Sequence, residues 1–230
     1  MGPHPDHVAW HRMSPRILVV RGGSHHEPVA STDLFIPGLR ARGCTVEVAE
    51  TLDVYDDREA LARADLILQS WAGGRITGDQ ERNLVERVRA GAGFAGWHAG
   101  IVATFHEARQ YEYMVGGRFL CHPGGLVDYT VDIVADHPIV RGVGSFRVHT
   151  EQYYCHTDPT LEVLATTTFT GEHGEPETAG VVMPVVWLRR FGQGRVFVST
   201  LGHTPADLAV PPVRALTERG LLWAAGDVSG

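Results

Sequence analysis

Apolar positions along this chain switch between a two-residue and a 3.6-residue period. Arg16-Ile17-Leu18-Val19-Val20 is a continuous apolar run closing in Arg21-Gly22-Gly23-Ser24. That is the pattern of a strand buried on both faces with a loop at its C-terminal end. Residues 29–42 then place Val29, Leu34, Phe35 and Leu39 at helical spacing, and Gly43 supplies a C-cap. Residues 45–49 read as a second strand, and 57–64 as a short helix whose acidic entry suits its N-terminal dipole. Residues 65–70 make a third strand, followed by the loop Trp71-Ala72-Gly73-Gly74. Thr77 is an N-cap for an amphipathic helix through 83–88 that Gly91 ends, and 93–97 is a fourth strand. Strand and helix alternating in short units predict an α/β fold with a parallel, doubly wound sheet and right-handed crossovers.

The second half is richer in strands. Residues 127–134 alternate strictly and 146–149 more briefly; 161–168 and 181–188 follow, separated by a Gly/Glu-rich loop at 171–180. Residues 195–201 form the last strong strand and 213–225 a C-terminal helix. With no repeat and no clear linker, one domain is expected over 16–228. Residues 1–15 are polar and His/Pro-rich, without the apolar region of a secretory signal, and read as a disordered extension. Met13 offers an alternative translation start, and His4, His7 and His11 in this extension could bind metal adventitiously.

Composition narrows the partners. The 230 residues are 43% hydrophobic and 20% charged, ordinary for a soluble globular protein. Twenty basic against 27 acidic side chains give a net charge of −7, which argues against nucleic acid. No segment approaches the roughly 18 apolar residues of a membrane span. Three cysteines, Cys44, Cys121 and Cys155, are an odd number without metal-type spacing; they read as small buried thiols in a reducing cytoplasm. The less ordinary count is thirteen histidines, several just past predicted strands.

In an open parallel sheet, ligands bind beyond the C-terminal ends of the strands. His25 and His26 follow the first strand, Gln69 and Ser70 end the third, His98 ends the fourth and His203 follows the last. His98 is the centre of Gly96-Trp97-His98-Ala99-Gly100, a G-x-H-x-G in which a G-x-nucleophile-x-G turn would carry serine or cysteine. A lone histidine at a strand end is usually solvated or simply hydrogen-bonded. Recurrence at converging ends makes His98 and His203 candidates for function.

The run 93–99 resembles the trehalose-utilisation (ThuA-like) family, as do 113–119 with His122-Pro123 and 137–142. So do Glu151-Gln152-Tyr153, 184–187, 192–197, Leu201-Gly202-His203 and 220–225, in consistent order from about Arg16 to Gly226. The resemblance implies a flavodoxin-like, class I glutamine amidotransferase-like fold, doubly wound and mainly parallel, with extra strands in the second half. It also implies that the elbow residue and a histidine after a late strand face one another, here His98 and His203. Two imidazoles cannot perform thiolate acyl transfer, but they can share a divalent metal such as zinc. Glu151 is a third candidate member and His26 a fourth, although a carboxylate at 151 could equally organise its loop through amide hydrogen bonds. His122, in a sharp turn before Pro123-Gly124-Gly125, and Gln69 are candidate substrate contacts. Trp71 and Tyr153 are aromatics that could stack on a pyranose.

Two functions follow as expectations. One is a metal-assisted enzyme (a hydrolase, lyase or isomerase) acting on a sugar or keto-sugar derivative, in which His98, His203 and Glu151 carry the chemistry. The other is a non-catalytic sugar-binding or partner subunit that kept the fold. A working amidotransferase is not expected, because none of the cysteines lies in the elbow. The G-x-G-x-x-G of a nicotinamide site is missing after the first strand and no flavin site is evident, so any sugar oxidation would fall to a separate dehydrogenase. Homo-oligomerisation is left open.

Overall fold

The structure, a computed structural model, describes residues 14–226. The extension expected at 1–15 therefore lies almost wholly outside the described residues. A nine-stranded sheet runs β2-β1-β3-β4-β11-β10-β9-β6-β7. Its parallel half comprises β1 (Arg16–Gly23), β2 (Thr45–Ala49), β3 (Leu66–Ala72), β4 (Gly93–Trp97) and β11 (Gly194–Ser199). The antiparallel half adds β10 (Val182–Phe191), β9 (Glu162–Thr168), β6 (Leu126–Ile133) and β7 (Phe146–Glu151). The extra strands expected in the second half are thus all antiparallel. A separate two-stranded sheet pairs β5 (Gly117–Cys121) with β8 (Tyr154–Thr157).

Alternation along the strands builds two cores. Ile17 and Val19 of β1, Leu66 and Leu68 of β3, Ala95 and Trp97 of β4 and Phe197 of β11 face one side. Leu18, Val20, Ile67, Phe94, Val196 and Val198 face the other. Both faces are covered, which is why these strands read as continuous apolar runs. The first core is closed by α1 (Pro28–Asp33), α2 (Ile36–Ala41), α7 (Pro205–Ala209) and α8 (Pro211–Ala224), including Ile36, Leu39, Val213 and Leu216. The second is closed by α3 (Arg58–Arg63), α4 (Gly78–Arg89), α5 (Ala99–Val102) and α6 (Arg109–Val115), with Leu61, Leu84, Val88, Tyr111 and Met114 buried. From β1 the chain moves outward to β2, then reverses to β3 and β4 on the other side. That reversal leaves a crevice beyond the strand ends, the usual ligand position in such sheets. Among the described residues, no helix is long and apolar enough to cross a membrane.

Candidate functional site

The crevice is organised by the turn after β4. His98 has φ 50 and ψ −141, a conformation rare for a side-chain-bearing residue, and it serves as N-cap of α5. Gly96 and Gly100 are not at positive φ; they are needed for closeness. A Cβ on Gly96 would collide with the Gln69 carbonyl, and one on Gly100 would sit 2.9 Å from the Ser70 Cα. The G-x-H-x-G sequence is therefore a sharp elbow pressed against β3, with the strain carried by the histidine itself.

His98 is 1% exposed. Its Nδ1 lies 2.8 Å from the Thr200 carbonyl and so carries a proton that it donates there. Its Nε2 faces the Tyr153 hydroxyl at 2.8 Å and Glu151 Oε2 at 3.0 Å. His203 Nδ1 approaches the same carboxylate oxygen at 3.2 Å, within ion-pair distance but without hydrogen-bond alignment. The ring of His26 completes the cluster, with centroids 4.9 Å from both His98 and His203, which are 5.3 Å from each other. One nitrogen from each of His26, His98 and His203 falls within a group spanning no more than 4.8 Å.

Electrostatics set the protonation states. Burial, reinforced by the neighbouring His98 and His203, pushes His26 down to about 4. Burial also lowers His98, against the opposing pull of Glu151 and the Thr200 carbonyl. Burial alone would raise the Glu151 carboxyl, but the hydrogen bond from His98 and the nearby His98, His203 and His122 hold it down at about 2. Tyr153 is kept protonated by burial and by Glu151. Burial thus favours the neutral form of His26 and of His98, beside an ionised Glu151 carboxylate. With its Nδ1 proton given to Thr200, His98 can donate to Glu151 Oε2, 3.0 Å away, only by taking a second proton on Nε2; without it the two acceptors repel unless a proton or a cation is shared between them.

His122 sits at the mouth, its side chain 40% exposed, with Nε2 3.8 Å from Glu151 Oε1. Its ring lies nearly parallel to Phe119 and Tyr153, at centroid distances of 5.6 and 6.2 Å. The structure thus brings together His26, His98, Glu151, Tyr153, His203 and, at the rim, His122. Gln69 is placed elsewhere: it is fully buried, and both its amide nitrogen and its oxygen are engaged below the crevice. Trp71 packs its half-buried ring over Gly22, where a Cβ would come within 2.5 Å of it. Thr200 and Phe119 were not foreseen. Thr200 acts through its backbone, for which side-chain chemistry gives no signal, and Phe119 is brought by a small sheet whose strands read weakly.

The doubly wound α/β sheet is consistent with an amidotransferase-like fold, and its elbow presents a histidine. The chain belongs to the ThuA family, described as trehalose utilisation, whose model matches residues 16–224. No curated protein matches it in sequence. Among solved structures it is similar to a ThuA-like protein from Parabacteroides merdae, with TM-score 0.72 and 18% identity over 94% of this chain and 92% of that one. A ThuA-like protein from Bacteroides uniformis aligns with TM-score 0.73 and 16% identity, covering 97% and 95%. A cytoplasmic protein from Salmonella typhimurium aligns with TM-score 0.65 and 15% identity, covering 90% and 97%. At these identities the likeness speaks for the fold.

Proposed function

We propose that the protein is a metal-assisted enzyme of carbohydrate metabolism, acting on a sugar or keto-sugar derivative. The convergence of three imidazoles beside one carboxylate carries the metal reading, and the trehalose-utilisation family supports the sugar. His26, His98 and His203 would hold a divalent ion such as zinc, which takes imidazole nitrogens and carboxylate oxygens readily. One ring already gives its spare N–H to backbone, His98 to the Thr200 carbonyl. Such a bond fixes the tautomer of a metal-ligating histidine. When bound, the ion would supply Lewis-acid polarisation of a carbonyl or hydroxyl oxygen.

The remaining work falls to the protein's own groups. Glu151, ionised and aimed into the cluster, accepts a proton from a bound hydroxyl or water. Tyr153, kept protonated, donates a hydrogen bond at the same point. His122 and Phe119 offer a flat rim against which a pyranose ring can lie.

The test is metal content of the full chain carrying His4→Ala, His7→Ala and His11→Ala, after chelation and reloading with zinc. About one ion per chain is expected by the stoichiometry of a three-histidine site, and its loss in His98→Ala and His203→Ala. A wild-type site that retains no zinc would end this reading. A second reading, a non-catalytic sugar-binding subunit, is favoured by the missing elbow nucleophile. It requires that trehalose and its keto derivatives bind without turnover in the zinc-loaded protein, and turnover abolished by Glu151→Gln would exclude it.

A further inference from the structure

Beneath the crevice lies a second polar cluster with no part in the chemistry above. Gln69 on β3 is held between two buried phenols, Tyr55 and Tyr111. Its Oε1 accepts from the Tyr55 hydroxyl at 2.7 Å. Its Nε2 donates to the Gly100 carbonyl at 3.0 Å and to the Tyr111 oxygen at 2.6 Å. The Tyr111 hydroxyl passes the chain on, donating to the Ile101 carbonyl at 2.9 Å. Burial keeps both phenols protonated and able to donate.

The two carbonyls at the end of this chain follow His98 by two and three residues. They belong to α5, whose four residues are too few to hold a helical turn unaided. Its N-cap, His98, is backbone-strained, and strain of that kind persists only where surrounding structure over-determines it. A fully bonded polar network in a dry interior is rigid, and it costs much to leave one member unpaired.

We propose that Tyr55, Gln69 and Tyr111 form a positioning network for His98. By pinning the Gly100 and Ile101 carbonyls, it fixes the elbow and keeps Nε2 aimed at His26, His203 and Glu151. Gln69, a strand-end residue expected to touch substrate, acts instead through the backbone of the elbow. The positioning role stands on this geometry, and only its consequence for a bound metal rests on the reading above.

Tyr111→Phe tests it, since that change removes one hydroxyl and leaves the ring packed against Phe94 and Phe105. Cobalt(II) binding, followed by visible absorption in the chain lacking the tail histidines, should weaken roughly 10-fold, as for a lost outer-shell partner. Without metal, solvent exchange of the His98 Nδ1 proton, read by NMR, should speed about 10-fold through local opening of the elbow. Thr217→Val is the control: that hydroxyl is equally buried but bonds the Val213 carbonyl inside α8. It should lower the melting temperature and move neither readout. Unchanged exchange in Tyr111→Phe, or equal acceleration in Thr217→Val, overturns the proposal whatever cobalt does. Should Tyr111→Phe fail to fold, Tyr55→Phe removes the donor at the other end and must show the same acceleration. A wild-type chain that binds no cobalt sinks the metal reading, while the exchange comparison still decides the positioning role.

Discussion

His26 sits at φ 70, in the left-handed region where asparagine is one of the few comfortable replacements. Its titration gives the site a pH signature. Folded, it titrates near 4; unfolded, near its ordinary 6.5. Between those values the unfolded chain binds more protons, so stability is full above about 6.5 and drains away as pH falls toward 4. Glu151 adds a loss of the same sign in a lower window, from its ordinary 4.5 down to about 2. Asparagine keeps the backbone and cannot take up the proton. In chelator-treated protein, His26→Asn should therefore melt with a shallower dependence on pH between about 6.5 and 4 than wild type. Identical slopes would show that His26 is not held neutral by its neighbours.

At the scale of elements, the sequence is most legible where one local rule acts alone. Thr77 caps α4 as its position suggests, and the cap is a complete capping box: its hydroxyl accepts from Gln80 N–H while Gln80 Oε1 accepts from Thr77 N–H. Thr77→Ala should cost about 1 kcal/mol in chemical denaturation, and no change in the midpoint would show the box to be idle. The apolar run at 93–97 is the fourth strand to the residue. One long helix expected at 29–42 is two, because Pro37 has no N–H for an interior bond and opens α2 in its first turn. Residues 109–121 and 154–157 gave little signal. There α6 ends at Gly116 and β5 pairs with a strand far along the chain, so tertiary pairing rather than local period defines them. The site follows the same division. Histidines at strand ends were readable from the strands before them; Gln69 was misleading, because a strand end can also face inward.

The whole molecule explains how Glu151 reaches the site at all. It closes β7, five strands from β4, and in a flat sheet with strands about 4.8 Å apart it would lie roughly 24 Å from His98. The actual separation is 3.0 Å. The backbone of the β6–β7 hairpin is joined to β9 only at the end of β6, through Asp132↔Thr166, Ile133↔Ala165 and the bond from Val134 N–H to the Leu164 carbonyl, so the rest of it is free to leave the plane of the sheet. It packs Val127, Tyr129 and Val131 into the first core, alongside residues of α7 and α8. Thr150 Oγ1 docks its far end by donating to Asp207 Oδ2 at 2.9 Å, while the Tyr129 hydroxyl, donating to the Glu151 carbonyl at 3.2 Å, ties the two strands of the hairpin to each other. Asp207 also accepts from Thr204 N–H, one residue past His203, so the Thr150 bond ties the carboxylate's strand to the histidine's loop. Thr150 is buried, and Thr150→Val keeps its shape while removing the donor. The change should cost about 1 kcal/mol in global stability, the usual worth of one hydrogen bond. Its specific mark should be faster amide exchange along β6 and β7, with β1, β3 and β4 unchanged, because the hairpin opens as a unit on its narrow joint. Acceleration spread evenly over all the strands would mean that the hairpin is not a separately docked part of the site.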